Sequence, residues 1–370
     1  MTSAGVLWTP GFKRLLAARL TSQAGDGAFT AGVAFLVLLS PGSQQTPAAY
    51  AGVLALLLLP FCLVGPFAAS VIDRWRRRRV LVTGQLVRCG VAAVVAVLAL
   101  VGDSGPWTYA LVLVALGVNR LVLAALSAAV PHVVGPDRFV DANAVGPTSG
   151  SVTTGIGIGV GGAVAAVTQT AGAVVVAVVL WAVAALVARG FGRDELGPDH
   201  PRPTPSLRAT ARDLAAVARH LRERRRASAA LARLGAARLL VGALTIATLA
   251  VTGTAGTDAA VVALTGGVGF GLGAVGTPVA SRFVRTGAWV AGCLAAAAVL
   301  VLVGTTLPVP WSWALAALGV GLLAQSTKIW TDTLVQRHVD EPFLGRAFTV
   351  YDLVYNASFV VGTLVALPWV

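Results

Sequence analysis

Gly65-Pro66-Phe67-Ala68-Ala69-Ser70-Val71-Ile72-Asp73-Arg74-Trp75-Arg76-Arg77-Arg78-Arg79 joins one long apolar stretch to another that begins at Val80. Its five arginines lie in a short loop between two membrane-length segments. Short loops rich in Lys and Arg resist translocation, so this loop is expected in the cytoplasm, and it sets the expected orientation of everything on either side.

Working outward, a spanning helix needs about 20 mainly apolar residues. Eleven segments qualify: roughly 14–39, 48–71, 79–101, 107–131, 141–167, 170–189, 233–253, 259–282, 286–307, 311–334 and 346–368. Starting from a cytoplasmic N-terminus, alternation brings the Arg74–Arg79 loop, Asp137-Arg138, residues 190–232, Arg282/Arg285 and Arg337/Arg346 to one side. The opposite loops are nearly free of charge: 40–48 has none, 102–107 has Asp103 alone and 254–259 has Asp258 alone. This is the pattern of a multispanning membrane protein, and it turns a net charge of +13 into a statement about topology. Nucleic-acid binding is excluded on the same ground, because the basic residues form no patch on a soluble domain.

Composition agrees. Of 370 residues, 56% are hydrophobic and 12% charged, too few charges for the surface of a soluble domain of this length. Cys62, Cys89 and Cys293 lie in apolar segments at unrelated spacings, which suggests packing rather than disulfides or a metal site. The N-terminus lacks signal-peptide architecture, since Lys13 and Arg14 precede a full-length segment. The Ala, Gly, Val and Arg bias, with only two lysines, suggests a GC-rich bacterial genome and hence a bacterial plasma membrane.

The expected organisation is an N-terminal six-helix bundle over 1–190, a basic cytoplasmic linker over 191–232 and a C-terminal five-helix bundle over 233–370. The linker opens with Pro198, Pro201, Pro203 and Pro205; after Ser206, Leu207, Leu214, Val217 and Leu221 share one helical face among arginines. That helix either lies on the lipid surface or is a solvated linker. Gly65, Ala69, Ser70 and Arg74 match Gly276, Ala280, Ser281 and Arg285 at a constant offset of 211, a weak internal repeat. Duplicated halves with the substrate site between them are a common plan of secondary transporters.

Ionisable groups inside the membrane cost at least ~2.5 kcal/mol each, so each needs a partner or a cavity. On the first helix Arg19, Gln23, Asp26 and Thr30 follow an i, i+4, i+7, i+11 progression. Asp26 lies roughly 20 Å along the helix from Lys13, near mid-membrane. The fourth helix carries Asn119 and Arg120 in an apolar run. Gln325, Lys328 and Asp332 align on the tenth helix, and Thr349, Asp352 and Asn356 on the eleventh. Lys328 and Asp332 form either an inner gate or a structural i, i+4 network. Glycines recur from Gly146-Pro147 to Gly161-Gly162, allowing close packing and a bend.

The 65–79 loop resembles the loop between the second and third helices of major facilitator superfamily transporters. Arg120 stands where that superfamily has its fourth-helix arginine, and the Gln325–Asp352 and Pro131–Ala144 stretches resemble its drug- and siderophore-exporting branch. Ala69 and Arg76 stand where the pattern usually has glycine, and the exporter motif of the fifth helix is only partly matched. The resemblance implies an all-α, two-bundle fold of about eleven helices, 6 + 5, with the usual twelfth absent. It implies proton-coupled efflux of a small lipophilic or amphiphilic molecule by alternating access, as an antiporter. Arg120 would be the partner of Asp26, and the two would either carry coupling or form a static pair that fixes helix register. Gly65, Ala69, Asp73, Arg74 and Arg78 would form a cytoplasmic latch. Gln23, Thr30, Asn119, Gln325, Asp352 and Asn356 would line the cavity.

The expected partners are the bilayer, a small-molecule substrate and protons, with a monomer favoured. No cofactor or metal is implied, and no catalytic or phosphate-loop spacing accompanies the four histidines, so the chain is not expected to be an enzyme. The rival reading is a non-transporting membrane scaffold or sensor that keeps the fold.

Overall fold

A computed structural model describes residues 9–38, 75–102, 105–135, 139–197, 207–252, 257–304, 306–308, 311–339 and 341–369, with scattered helical positions between 46 and 58. Gly65, Ala69, Asp73 and Arg74, four of the five latch residues, lie outside the described residues. Apart from short turns the described residues are helical, and they contain no strand, the fold class expected from the sequence.

The helices are α1 (Pro10–Leu38), α2 (Arg77–Leu100), α3 (Pro106–Val133), α4 (Phe139–Arg189), α5 (Leu207–Glu223), α6 (Arg225–Thr252), α7 (Thr257–Ala280), α8 (Thr286–Gly304), α9 (Trp311–His338) and α10 (Glu341–Ala366). The 51 residues of α4 are two helices merged across Gln169, whose φ of 59° and ψ of −159° break the helix. Its two arms are the expected fifth and sixth spans. Six described stretches are long and apolar enough to cross a membrane: Arg77–Leu100, Pro106–Val133, Val145–Arg189, Arg225–Ala247, Gly287–Gly304 and Val350–Trp369. Helices α1 and α9 are less apolar because they carry the polar stripes.

Contacts divide the chain into two units, Met1–Ser43 with Leu63–Ser206, and Gln44–Cys62 with Leu207–Val370. In the first, α1 is clasped by both arms of α4. A Cβ on Gly27 would collide with the backbone of Thr154, Gly157 and Ile158, and one on Gly157 or Gly161 with the backbone of Ala24 or Ala28. On the other side, Gly25 faces Trp181 and Gly32 faces Val174. Lipid gives helices no hydrophobic reason to associate, so close backbone approach through small residues supplies the packing energy instead.

The second unit repeats the device with other glycines. Gly269 and Gly321 join α7 to α9, Gly242 and Gly362 join α6 to α10, and Gly319 rests on Ala297 of α8. The linker helix α5 belongs to this unit. Its Val217 (0% exposed) and Leu221 (4% exposed) pack into a core with Leu231, Leu234, Val335 and Tyr351, so protein covers that face.

Several hydroxyls inside the spans satisfy themselves on their own helices, since hydrocarbon offers no other partner. Thr21 donates to Ala17 O, Thr83 to Arg79 O and Thr154 to Gly150 O. Around Pro147, which cannot donate, Ser151 Oγ donates to the Pro147 carbonyl at 3.0 Å. Helix α1 begins at Pro10 because Thr9 Oγ1 accepts the Phe12 N–H at 3.0 Å as an N-cap and donates to Val133 O at 2.8 Å.

A buried carboxylate cluster and its surroundings

Asp26 of α1 meets two other helical arms, α2 and the second arm of α4. Its side chain is 11% exposed and is ion-paired with Arg88, whose side chain is 1% exposed; Arg88 Nη2 donates to Asp26 Oδ1. The same Oδ1 accepts the indole N–H of Trp181 at 3.0 Å. That indole also reaches Ser22 O at 3.2 Å. The Arg88 guanidinium carbon lies 3.7 Å from the Trp181 ring centroid, so one cation is held by a carboxylate and an aromatic face together. Gln85 completes the set: its Oε1 accepts from Arg88 Nη1 at 3.0 Å, and its Nε2 donates to Ser22 Oγ at 2.6 Å. Phe29 tilts against Trp181 with ring centroids 5.2 Å apart.

The local sequence explains why these groups converge. The buried face of α2 runs Leu81, Gly84, Gln85, Arg88, Ala92 and Val95, at helical spacing. Gly84 lets Val122 of α3 approach, and Gly25 leaves the space that the Trp181 ring fills. Trp181 is fully buried on the second arm of α4.

The ion pair differs from the sequence expectation. Asp26 pairs with Arg88 on α2, whereas Arg120 on α3 was its expected partner. The polar stripe of α1 splits between two neighbours. Asp26 lies toward the Ser22 and Gly25 side, where Trp181 and Arg88 stand. Arg19 and Gln23 lie toward the first arm of α4: Arg19 Nε donates to Gln23 Oε1 at 3.3 Å, and Gly146 and Gly150 face these two side chains. Thr30 donates to Asp26 O at 2.8 Å, within its own helix. Arg120 is half-buried, and Asn119 is 6% exposed with its Oδ1 buried and without a hydrogen-bond partner among the described residues.

In the second unit Lys328 donates to Asp332 Oδ2 at 2.8 Å and stands 5.9 Å from the Tyr351 ring. Tyr351 stacks on Tyr355, with centroids 6.1 Å apart. Arg238 lies over Tyr355 at 3.9 Å and Phe359 at 4.7 Å. Asn356 is buried and turns back to the Asp352 carbonyl at 2.8 Å, while the Asp352 side chain is exposed. Gln325 Oε1 is buried without a hydrogen-bond partner among the described residues, like Asn119 Oδ1. A chain of polar groups, Trp289 Nε1 to Thr277 Oγ1 and Thr277 Oγ1 to Ser326 Oγ, each 3.0 Å, crosses three helices nearby.

Arg78 is the one latch residue described. Its Nη2 donates to Arg189 O at 3.0 Å, and Arg77 Nη1 donates to Leu196 O at 2.9 Å. These arginines cap carbonyls at and beyond the end of α4, where the helix dipole favours cations. No group of His, Cys, Asp and Glu that could hold a metal occurs among the described residues.

Comparison with known proteins matches this architecture. The sequence model of the Major Facilitator Superfamily matches residues 15–363. Uncharacterized MFS-type transporters of Mycobacterium bovis and Mycobacterium tuberculosis are each 34% identical over 380 residues, covering 96% of this chain and 84% of theirs. A crystal structure of a POT family transporter in complex with 5-aminolevulinic acid superposes with a TM-score of 0.72 at 10% identity, covering 97% of this chain and 90% of that one. A point mutant of the nucleoside transporter NupG gives 0.65 at 12% identity, with 97% and 91% covered. The human organic anion transporter MFSD10 gives 0.61 at 15%, with 97% and 93% covered. At these identities the superpositions speak to the fold alone.

Proposed function

Because the chain belongs to the major facilitator superfamily, and is thus a multi-pass membrane transporter and not an enzyme, we propose that it exports a small lipophilic or amphiphilic molecule across a bacterial plasma membrane by proton antiport. The observation that carries this reading is the Asp26–Arg88–Trp181 cluster in the core of the first unit. A buried pair taken out of water is weak as a stabilising device, since its desolvation offsets much of its attraction. It is well suited to switching. Protonating Asp26 removes the negative charge, weakens its hold on Arg88, and leaves the guanidinium against Trp181 and Gln85. Whichever conformation lets Arg88 find another partner is then favoured, so proton occupancy biases the alternating-access equilibrium.

In this reading the coupling site is Asp26 with Arg88, and Arg120 joins Gln23, Thr30, Asn119, Gln325, Asp352 and Asn356 along the substrate path. Asn119 Oδ1 and Gln325 Oε1, buried and without a hydrogen-bond partner among the described residues, support that assignment, because unsatisfied polar atoms inside a span await water or ligand. Lys328 and Asp332 act as an inner gate, and the Asp73–Arg78 loop as the latch on the N-terminal, cytoplasmic side.

The test is proton-gradient-driven uptake of a panel of lipophilic compounds into inside-out vesicles, with wild type, Asp26→Asn and Arg88→Gln compared. Uptake that an uncoupler collapses and both variants lose supports the reading. Equal uptake by Asp26→Asn removes Asp26 as the proton site. No gradient-dependent uptake of any compound by folded protein favours a non-transporting scaffold or sensor.

A further inference from the structure

The second unit carries a cleft of about 1100 Å³ whose lining, among the described residues, includes Arg225, Arg226, Arg233 and Arg285 and no acidic residue. Arg225 and Arg226 open α6, and Arg285 immediately precedes α8, so the arginines converge at one end of the helices. Arg233 and Trp330 line this cleft and also a second one of about 510 Å³, together with Gly287. The second cleft is apolar, walled by Leu240, Val290, Leu294 and Leu323. The Arg233 guanidinium lies 5.3 Å from the Trp330 ring, which holds a cation where the two compartments meet.

The surroundings say what kind of molecule this geometry fits. Along α8 the exposed side chains include Leu294 on the wall of the cleft and Val299 and Leu302 beyond it, at 54%, 57% and 69% exposure. Side chains of that kind on a spanning helix face hydrocarbon. The apolar compartment therefore opens toward acyl chains, while the arginine compartment stands at the end of the spans, where headgroups lie. Basic pockets between helix ends recognise anionic headgroups through charge-assisted hydrogen bonds from guanidinium to phosphate.

We infer that the α6–α8–α9 groove is a binding site for an anionic phospholipid, its phosphate held by Arg225, Arg226, Arg233 and Arg285 and one acyl chain laid over Leu240, Val290, Leu294 and Leu323. The site is independent of the Asp26 cluster, which is in the other unit. Both compartments are required: the arginines select the charge, and the groove distinguishes a lipid from a free anion.

The experiment is native mass spectrometry of the full chain in detergent, titrated with phosphatidylglycerol or with phosphatidylcholine of the same acyl chains. The same titration is repeated in the presence of sodium phosphate. Wild type is expected to retain phosphatidylglycerol at least fivefold over phosphatidylcholine, and phosphate at the lipid's concentration is expected not to displace it. Arg233→Gln and the Arg225→Gln/Arg226→Gln pair should each reduce that preference severalfold. Leu294→Trp, which fills the groove and leaves every arginine in place, should lower retention of the lipid. Arg79→Gln, in the other unit, should leave it unchanged, and melting curves of all variants establish folding. Equal retention of the two lipids overturns the inference. So does a preference that survives both Arg233→Gln and Leu294→Trp, or one that falls with the arginine changes but not with Leu294→Trp, since the charge would then be read without a groove. Displacement by phosphate would show a site for a free anion and equally overturn it.

Discussion

Trp181 and Arg88 bind the same oxygen of Asp26, and the guanidinium lies 3.7 Å from the centre of the indole ring that shares its acceptor. The three groups therefore cannot be altered independently. Trp181→Phe keeps a ring under Arg88 but deletes the N–H, and it is expected to lower stability by about 1–2 kcal/mol. Trp181→Ala also empties a fully buried site, and should cost about 3–5 kcal/mol. Thermal unfolding in detergent separates the two variants.

Breaking the pair from one side strands a buried charge. Arg88→Gln and Asp26→Asn should each cost about 3 kcal/mol, whereas the double variant should cost clearly less than their sum, with a coupling of about 1–3 kcal/mol. Additive losses would show that the two side chains act separately, contrary to the geometry.

The glycine seams make a sharp contrast within α4. Gly157 meets the Ala24 backbone, while a Cβ on Gly155, two residues earlier, would meet nothing within 4 Å. Gly157→Val is expected to destabilise by about 3 kcal/mol or more. Gly155→Val should be neutral within about 0.5 kcal/mol. In the second unit Gly269→Val should behave like Gly157→Val, because it meets the Leu318 backbone. Melting temperatures and yields of the three proteins are the readout.

Two neighbouring arginines should differ in the same way. The Arg76–Asp194 pair at 2.8 Å is half to two-thirds exposed, so Arg76→Ala should change stability by less than about 0.5 kcal/mol. Arg77 is buried, bonds Leu196 O at 2.9 Å and stands 3.1 Å from His132 Nδ1. Arg77→Ala is expected to cost about 2 kcal/mol, because it leaves a buried carbonyl and ring without that donor.

Much of this architecture could be read in advance from particular residues. The run of arginines at 74–79 and the charge-poor loops opposite gave the spans, since hydrocarbon length and charge transfer are one-dimensional constraints. Asp26 stood out for the same reason. Its partner did not, because pairing depends on how helices rotate against one another, and α1 presents its carboxylate toward α2 rather than α3. A signal for Arg88 existed: it lies nine residues beyond Arg79, roughly 13 Å deeper along the helix, too deep for the end of its own span to account for it. Trp181 carried no such signal, being one aromatic residue in a wholly apolar segment. The cover over Val217 and Leu221 was likewise hidden, since periodicity shows that a helix has an apolar face but not what lies on it.

The bonds from Arg78 to Arg189 O and from Arg77 to Leu196 O join residues 111 and 119 positions apart. At ribosomal speeds of about 5–20 residues per second, Arg78 is made roughly 6–22 s before its carbonyl partner exists. Throughout that interval neither side chain has the carbonyl that it holds in the finished bundle. Closure of this end of the first unit therefore waits on the synthesis of the second arm of α4, long after the arginines that perform it are made.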